Sequence, residues 1–181
     1  PGTFWVDDAT LVSAPFSNLS FEDPPVYRQL TDCTPRITGM IAGGWKDNTC
    51  WEPTSQVLYA KDTSNPHSGG TSQRIQLMAS LVQFIQDVPI AMQGGTLYTG
   101  TFWLRADRDP MTVTLKFMKQ DTPYTIYGSK DVRLNTTWQP YTVTGLGEGY
   151  LSVLMLSTTT RGTFWVDDAN LVSAPLTIQP P

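Results

Sequence analysis

Carboxylates are the commonest groups in this chain that could do chemistry, sixteen of them against a single histidine. His67 lies in a Pro/Ser/Gly turn and reads as a surface residue. One imidazole excludes a zinc centre built on two or three histidines, and a serine triad would hang on that residue alone. Hydrolysis by two carboxyl groups needs a proton-holding acid set opposite an ionised partner. Glu22, Glu52, Glu148 and the thirteen aspartates supply the stock, but no pair is placed to suggest that arrangement. The residues read as non-catalytic.

Oxygen donors from distant parts of the chain suggest another use. Glu22 closes the first strand-like segment, and Asp167 and Asp168 lie in the last. The turn at 64–71 adds backbone carbonyls, Asn65 and Ser68. Hard oxygens gathered from separate segments suit a structural Ca2+, which takes six to eight of them at about 2.3–2.6 Å. Glu22 and Asp167 are the firmest ligands, with Asp168 as the alternative on the opposite parity. The competing reading is a capped sandwich edge, solvated or paired with Arg161.

The elements that must position these groups are almost all β. Residues 97–107 (LYTGTFWLRAD), 111–121 (MTVTLKFMKQD), 138–145 (WQPYTVTG) and 150–158 (YLSVLMLST) are rich in β-branched and aromatic residues. Most alternate in polarity between Gly, Pro, Asp or Asn boundaries, and 71–77 and 81–85 add two more. No apolar stripe at helical spacing runs through the chain. The pattern predicts a β-sandwich. Residues 29–68, with little periodicity and many Pro and Gly, read as a long ordered loop region.

One segment is duplicated. Residues 2–15 match 162–175 except for Thr10 against Asn170, at an offset of 160 residues. Residues 16–175 are themselves 160 long, so they are expected to form one module of a tandem array. Residues 1–15 would then be the final strand of a preceding module, and 176–181 a linker. A circularly permuted or strand-swapped single domain is the rival reading.

Five motifs now come in order: NLSFED at 18–23, SNPHSGGTSQRIQL at 64–77, GGTLYTGTFWLRAD at 94–107, TTWQPYTVT at 136–144 and GTFWVDDANLV at 162–172. Together they resemble the carbohydrate-binding modules of the family 4/9 type, including the related xylan-binding family 22. The resemblance implies an all-β jelly roll of two antiparallel sheets that binds plant polysaccharide. It also implies a structural calcium near Glu22 and the Asp pair, and attachment to a secreted glycoside hydrolase. Residues 31–53 depart from the pattern.

A neutral polysaccharide is held by flat aromatic faces against sugar C–H groups and by polar side chains against hydroxyls. The chain carries six Trp, seven Tyr and seven Phe. Parity places Phe102 and Leu104 on one face of their strand and Trp103 and Arg105 on the other. In the next strand Lys116 and Gln120 face outward. Those four, joined by Arg74 and Gln76, are expected to line a groove. Loop aromatics Trp45, Trp51, Tyr124 and Tyr127 are further ligand candidates, because loops on a rigid scaffold carry contacts. Trp138 and Trp165 are expected in the core.

Cys33 and Cys50 read as a bridge in a secreted protein. It would close a loop of about 16 residues, constrain the unfolded chain by about 3 kcal/mol in the entropy model, and hold Trp45 over the groove. Only 15% of residues are charged and the net charge is −4, with no basic run. That excludes nucleic acid and an anionic membrane as partners. The expected function is polysaccharide binding (xylan or β-glucan) on behalf of an attached hydrolase. A jelly-roll lyase or hydrolase domain and a structural spacer are the alternatives.

The duplicated strand has its own consequence. A second copy of a strand seeks a sheet edge and can exchange between molecules. Deleting residues 1–15 should leave the melting midpoint and sugar binding intact while abolishing any self-association seen by light scattering. A protein that fails to fold without them would show that the N-terminal copy is the structural strand.

Overall fold

The computed structural model describes residues 20–22, 27–87 and 89–175; the first copy of the repeat lies outside them. Thirteen strands occur in order among the described residues: β1 (Arg28–Gln29), β2 (Ile37–Ile41), β3 (Trp45–Asp47), β4 (Gln56–Asp62), β5 (Ser72–Ala79), β6 (Val82–Gln86), β7 (Ile90–Ala91), β8 (Thr96–Ala106), β9 (Met111–Lys119), β10 (Ile126–Leu134), β11 (Gln139–Leu146), β12 (Leu151–Thr158) and β13 (Gly162–Pro175). They form a seven-stranded sheet, β1-β2-β4-β5-β13-β8-β11, and a six-stranded sheet, β10-β9-β12-β6-β3 with β7 on β12. The result is the expected β-sandwich jelly roll.

Period-2 patterning explains why these segments pack face to face. In β8, Phe102, Leu104 and Ala106 point inward and are buried, as are Val113, Leu115 and Phe117 in β9. Phe164 and Val166 of β13 complete the wall of the first sheet. β13 lies centrally, between β5 and β8, and bulges between Asp167 and Asn170. The bulge interrupts the simple alternation there, so Asp167 is buried while Asp168 adopts a positive φ of 42°.

Three expectations need correction. Residues 29–68 are not a loop region but contribute β2, β3 and β4. The strands are short, and β2 pairs with β4 in parallel, so the sheets are not wholly antiparallel. Trp45 is not a sugar platform. It is fully buried, stacked on Phe84 at 4.7 Å and on Phe21 at 5.5 Å, with Phe102 edge-on at 6.2 Å. A ring packed this way has no face left for a ligand. The segment needed an anchor, and Trp45 is it.

Cys33 and Cys50 are joined, with their Cα atoms 5.7 Å apart. The bridge ties the β1–β2 loop to the β3–β4 loop, so it steadies Trp51, the neighbour of Cys50, rather than Trp45. Arg36 reinforces the tie by donating to the carbonyls of Glu52 at 2.9 Å and Ser55 at 3.4 Å.

Truncating a core aromatic typically costs about 3–5 kcal/mol. Trp45→Ala should therefore lower stability by about that amount in chemical denaturation. A variant as stable as the parent would contradict the packing described.

Candidate functional site

Strand β12 departs from the alternation seen elsewhere. Leu154 and Leu156 enter the core, yet Val153 and Met155, on the opposite parity, are also apolar. They lie on the outer face of the second sheet with Ile85 of β6, which is paired directly with Met155. All three face away from the core and are nonetheless almost wholly sequestered, with exposures of 4% for Ile85 and 2% for each of the others. Outward residues so deeply covered lie beneath taller neighbours.

Cross-strand register identifies those neighbours. Met155 is flanked by Lys116 of β9, and Lys116 by Ser129 of β10. One step along, Gln83, Ser157, Thr114 and Asp131 lie in a polar row. The Thr114 hydroxyl donates to Asp131 at 2.6 Å. At the β6 side, Gln83 Oε1 accepts from Asn48 Nδ2 at 2.9 Å and from Trp51 Nε1 at 3.2 Å. Trp51 is thereby oriented although 62% exposed. In the opposite direction the rows end at Val153, Met118 and Ile126, beside the β9–β10 turn that carries Tyr124, itself 56% exposed. A polar row of amide and hydroxyl groups with an exposed ring towards each end suits a chain of pyranose units.

The predicted ligand residues divide. Trp51 is tied to Gln83 of the polar row, and Tyr124 lies in the β9–β10 turn at the other end of the same face. Tyr127 is half-buried and packs against the core, and Gln120 is held at the end of β9 by its amide bond to the Leu151 carbonyl at 3.2 Å. Trp103 and Arg105 do not share a face with Lys116 and Gln120 as expected. They lie on the outer face of the first sheet with Arg74 and Gln76, on the far side of the sandwich. Parity within one strand cannot tell which of two sheets that strand joins. Gln83, Met155 and Asp131 were missed; the legible signal was β12 itself, apolar at consecutive positions where an antiparallel sandwich strand should alternate.

The predicted metal-ligating residues converge on the 64–71 turn. Glu22 accepts the amides of Gly70 and Thr71, both at 2.8 Å, and a Cβ on Gly69 (φ +57°) would meet the Glu22 carboxyl carbon at 2.4 Å. Asp167 accepts the amides of His67 and Asp168, both at 2.8 Å. Glu22 and Asp167 thus clamp one turn from the first and last segments. Burial lifts the Asp167 carboxyl to about 6. Beside Thr71, the buried Tyr27 hydroxyl has no hydrogen-bond partner among the described residues and feels both carboxylates. A desolvated carboxylate near a second carboxylate is oxygen-donor chemistry of the kind a hard cation takes.

Asp168 and Ser68 are engaged differently. Asp168 meets His67 Nδ1 at 2.6 Å and accepts from the Ser68 hydroxyl at 2.9 Å. Asn65 is exposed, and its carbonyl accepts the Trp138 indole N–H at 3.1 Å. Among the described residues no three His, Cys, Asp or Glu side chains are gathered as a metal cage, so any ion here would need backbone carbonyls as well. His67 is not a free surface residue: its ring stacks on Trp103 at 3.6 Å.

No family model and no curated protein matches the chain. Solved structures do. A structure described as "CBM4 structure and function" matches 88% of this chain and 99% of its own, at 19% identity and a TM-score of 0.62. The CBM22-1 xylan-binding domain of Paenibacillus barcinonensis Xyn10C matches 96% of this chain and all of its own, at 11% identity and a TM-score of 0.58. The family 11 carbohydrate-binding module of Clostridium thermocellum, bound to a β-1,3-1,4-mixed-linked tetrasaccharide, matches 82% and 95% at 9% identity and a TM-score of 0.51. The chain has the jelly-roll fold of the CBM4 and CBM22 carbohydrate-binding modules.

Proposed function

We propose that this chain is a non-catalytic carbohydrate-binding module that holds plant cell-wall polysaccharide, xylan or β-glucan, on the outer face of its second sheet. The observation that carries the reading is the pair of exposed rings, Trp51 and Tyr124, on the outer face of a sheet whose polar row of Gln83, Thr114 and Asp131 runs between covered apolar neighbours. Neutral sugars need such a surface because hydroxyl groups gain little over water, while C–H faces on apolar and aromatic surface do. Gln83, Asn48, Thr114 and Asp131 offer both donors and acceptors along the walls. The fold neighbours support the same reading, one of them being a xylan-binding domain and another holding a β-1,3-1,4-mixed-linked tetrasaccharide.

In this proposal the module is secreted, in keeping with the Cys33–Cys50 bridge, and serves an attached glycoside hydrolase. Glu22 and Asp167 hold a structural Ca2+ together with carbonyls of the 64–71 turn. The ion supplies positive charge beside a buried carboxylate, and the two residues fasten the first and last segments to one turn.

Two measurements test the proposal. In affinity electrophoresis, soluble xylan or mixed-linkage β-glucan should retard the protein, and Trp51→Ala or Tyr124→Ala should weaken binding by about 2 kcal/mol at unchanged melting temperature. Release of new reducing ends by the purified chain, or failure to bind any polysaccharide, would contradict it. A ligand that binds only the folded state at a hundredfold excess over its Kd stabilises by about 2.7 kcal/mol. Ca2+ should accordingly raise the melting midpoint over that in chelator, and Asp167→Asn should erase the difference. An unchanged midpoint in the parent protein would remove the ion from the account.

A further inference from the structure

The outer face of the first sheet carries a second constellation, on the opposite side of the sandwich from the proposed polysaccharide face and independent of it. Arg105 of β8 pairs in register with Trp165 of β13, whose other neighbour is Arg74 of β5. The guanidinium carbon lies 3.7 Å from the centre of the Trp165 ring and 5.1 Å from that of Trp138. Both indoles, expected in the core, are half-buried here; Phe164 and Val166 take the inward positions of β13, which leaves Trp165 on the outer face. Trp103 and His67 stack alongside, with His67 edge-on to Trp138 at 6.0 Å.

What Arg105 lacks, beyond the two indoles, is a hydrogen-bonding partner among the described residues. Its Nε is buried and makes no hydrogen bond, and among the described residues the side chain forms neither hydrogen bond nor ion pair. Asp62, whose charge reaches it, is already occupied: its oxygens accept from Trp165 Nε1 at 2.6 Å and from the amide and hydroxyl of Ser64 at 2.8 and 2.6 Å. Arg74 donates to Gln76 at 3.2 Å. An arginine serving only to brace indoles would be expected to satisfy its donors, because a buried unpaired donor is costly.

A guanidinium matches a carboxylate through two parallel N–H···O bonds, and indole faces match the C–H face of a pyranose. The ligand with both features is a uronic acid unit. We propose that Arg105, Trp138 and Trp165 form a second glycan site, selective for a carboxylate-bearing pyranose. Arg105, backed by the Trp165 ring, binds the carboxylate, Trp138 receives the sugar ring, and Arg74 adds favourable charge against the opposing field of Asp62.

The test is a titration of the full chain, followed by the indole N–H and Arg105 Nε–H resonances, with a glucuronic acid-substituted xylo-oligosaccharide and with its unsubstituted counterpart. The acidic ligand should shift the Trp138, Trp165 and Arg105 signals, and the neutral one should not. Affinity should fall at least about tenfold on raising salt from 0.05 to 0.5 M, since exposed ionic contacts are screened. Arg105→Gln should lose the acidic ligand by a similar factor, with Arg105→Lys intermediate. Equal shifts from the neutral oligosaccharide, equal shifts from inorganic sulfate at the same concentration, or an unaffected Arg105→Gln protein would overturn the proposal. So would unmoved resonances in the parent protein, a result that does not depend on any variant folding.

Discussion

Strand β12 has to be apolar on both faces, and much else follows from that constraint. Its even positions, Leu154 and Leu156, close the core with Phe117 and Phe84; its odd positions, Val153 and Met155, line the opposite face. A strand exposed to water on one side would lose stability by presenting methionine and valine there. Recessing them between β6 and β9 removes most of that exposure.

The sheet is rigid there because of what lies beneath it. Trp45 stacks with Phe84 and Phe21 and meets Phe102 of the other sheet, so β3, β6 and β8 are locked through one aromatic cluster. Tyr59 adds to it, its hydroxyl donating to Asp47 at 2.7 Å. The rim is fixed by different means: a disulfide beside Trp51 and the Gln83 side chain, which accepts from both Trp51 and Asn48. The core and the rim therefore rest on separate interactions.

Much of the fold was legible in the sequence. Alternation in β8 and β9 fixed their inward faces, and the convergence of Glu22 and Asp167 on one turn follows from their motifs. The site was legible only in part. Trp45 and Trp51 lie in one Pro/Gly-rich segment, and nothing local separates a ring needed for a small core from one left exposed. Only the strand β3, three residues long, decides it. Grouping Trp103 and Arg105 with Lys116 failed for a topological reason: β8 and β9 are adjacent in sequence but belong to different sheets.

The central claim, that the outer face of the second sheet is where polysaccharide binds, is open to one direct measurement. With methyl groups labelled, the resonances of Met155, Ile85 and Val153 can be followed during titration with neutral xylo- and mixed-linkage gluco-oligosaccharides. Their saturable shift, together with that of the Trp51 indole, is the predicted result. Saturable binding that leaves all four unmoved would contradict the account.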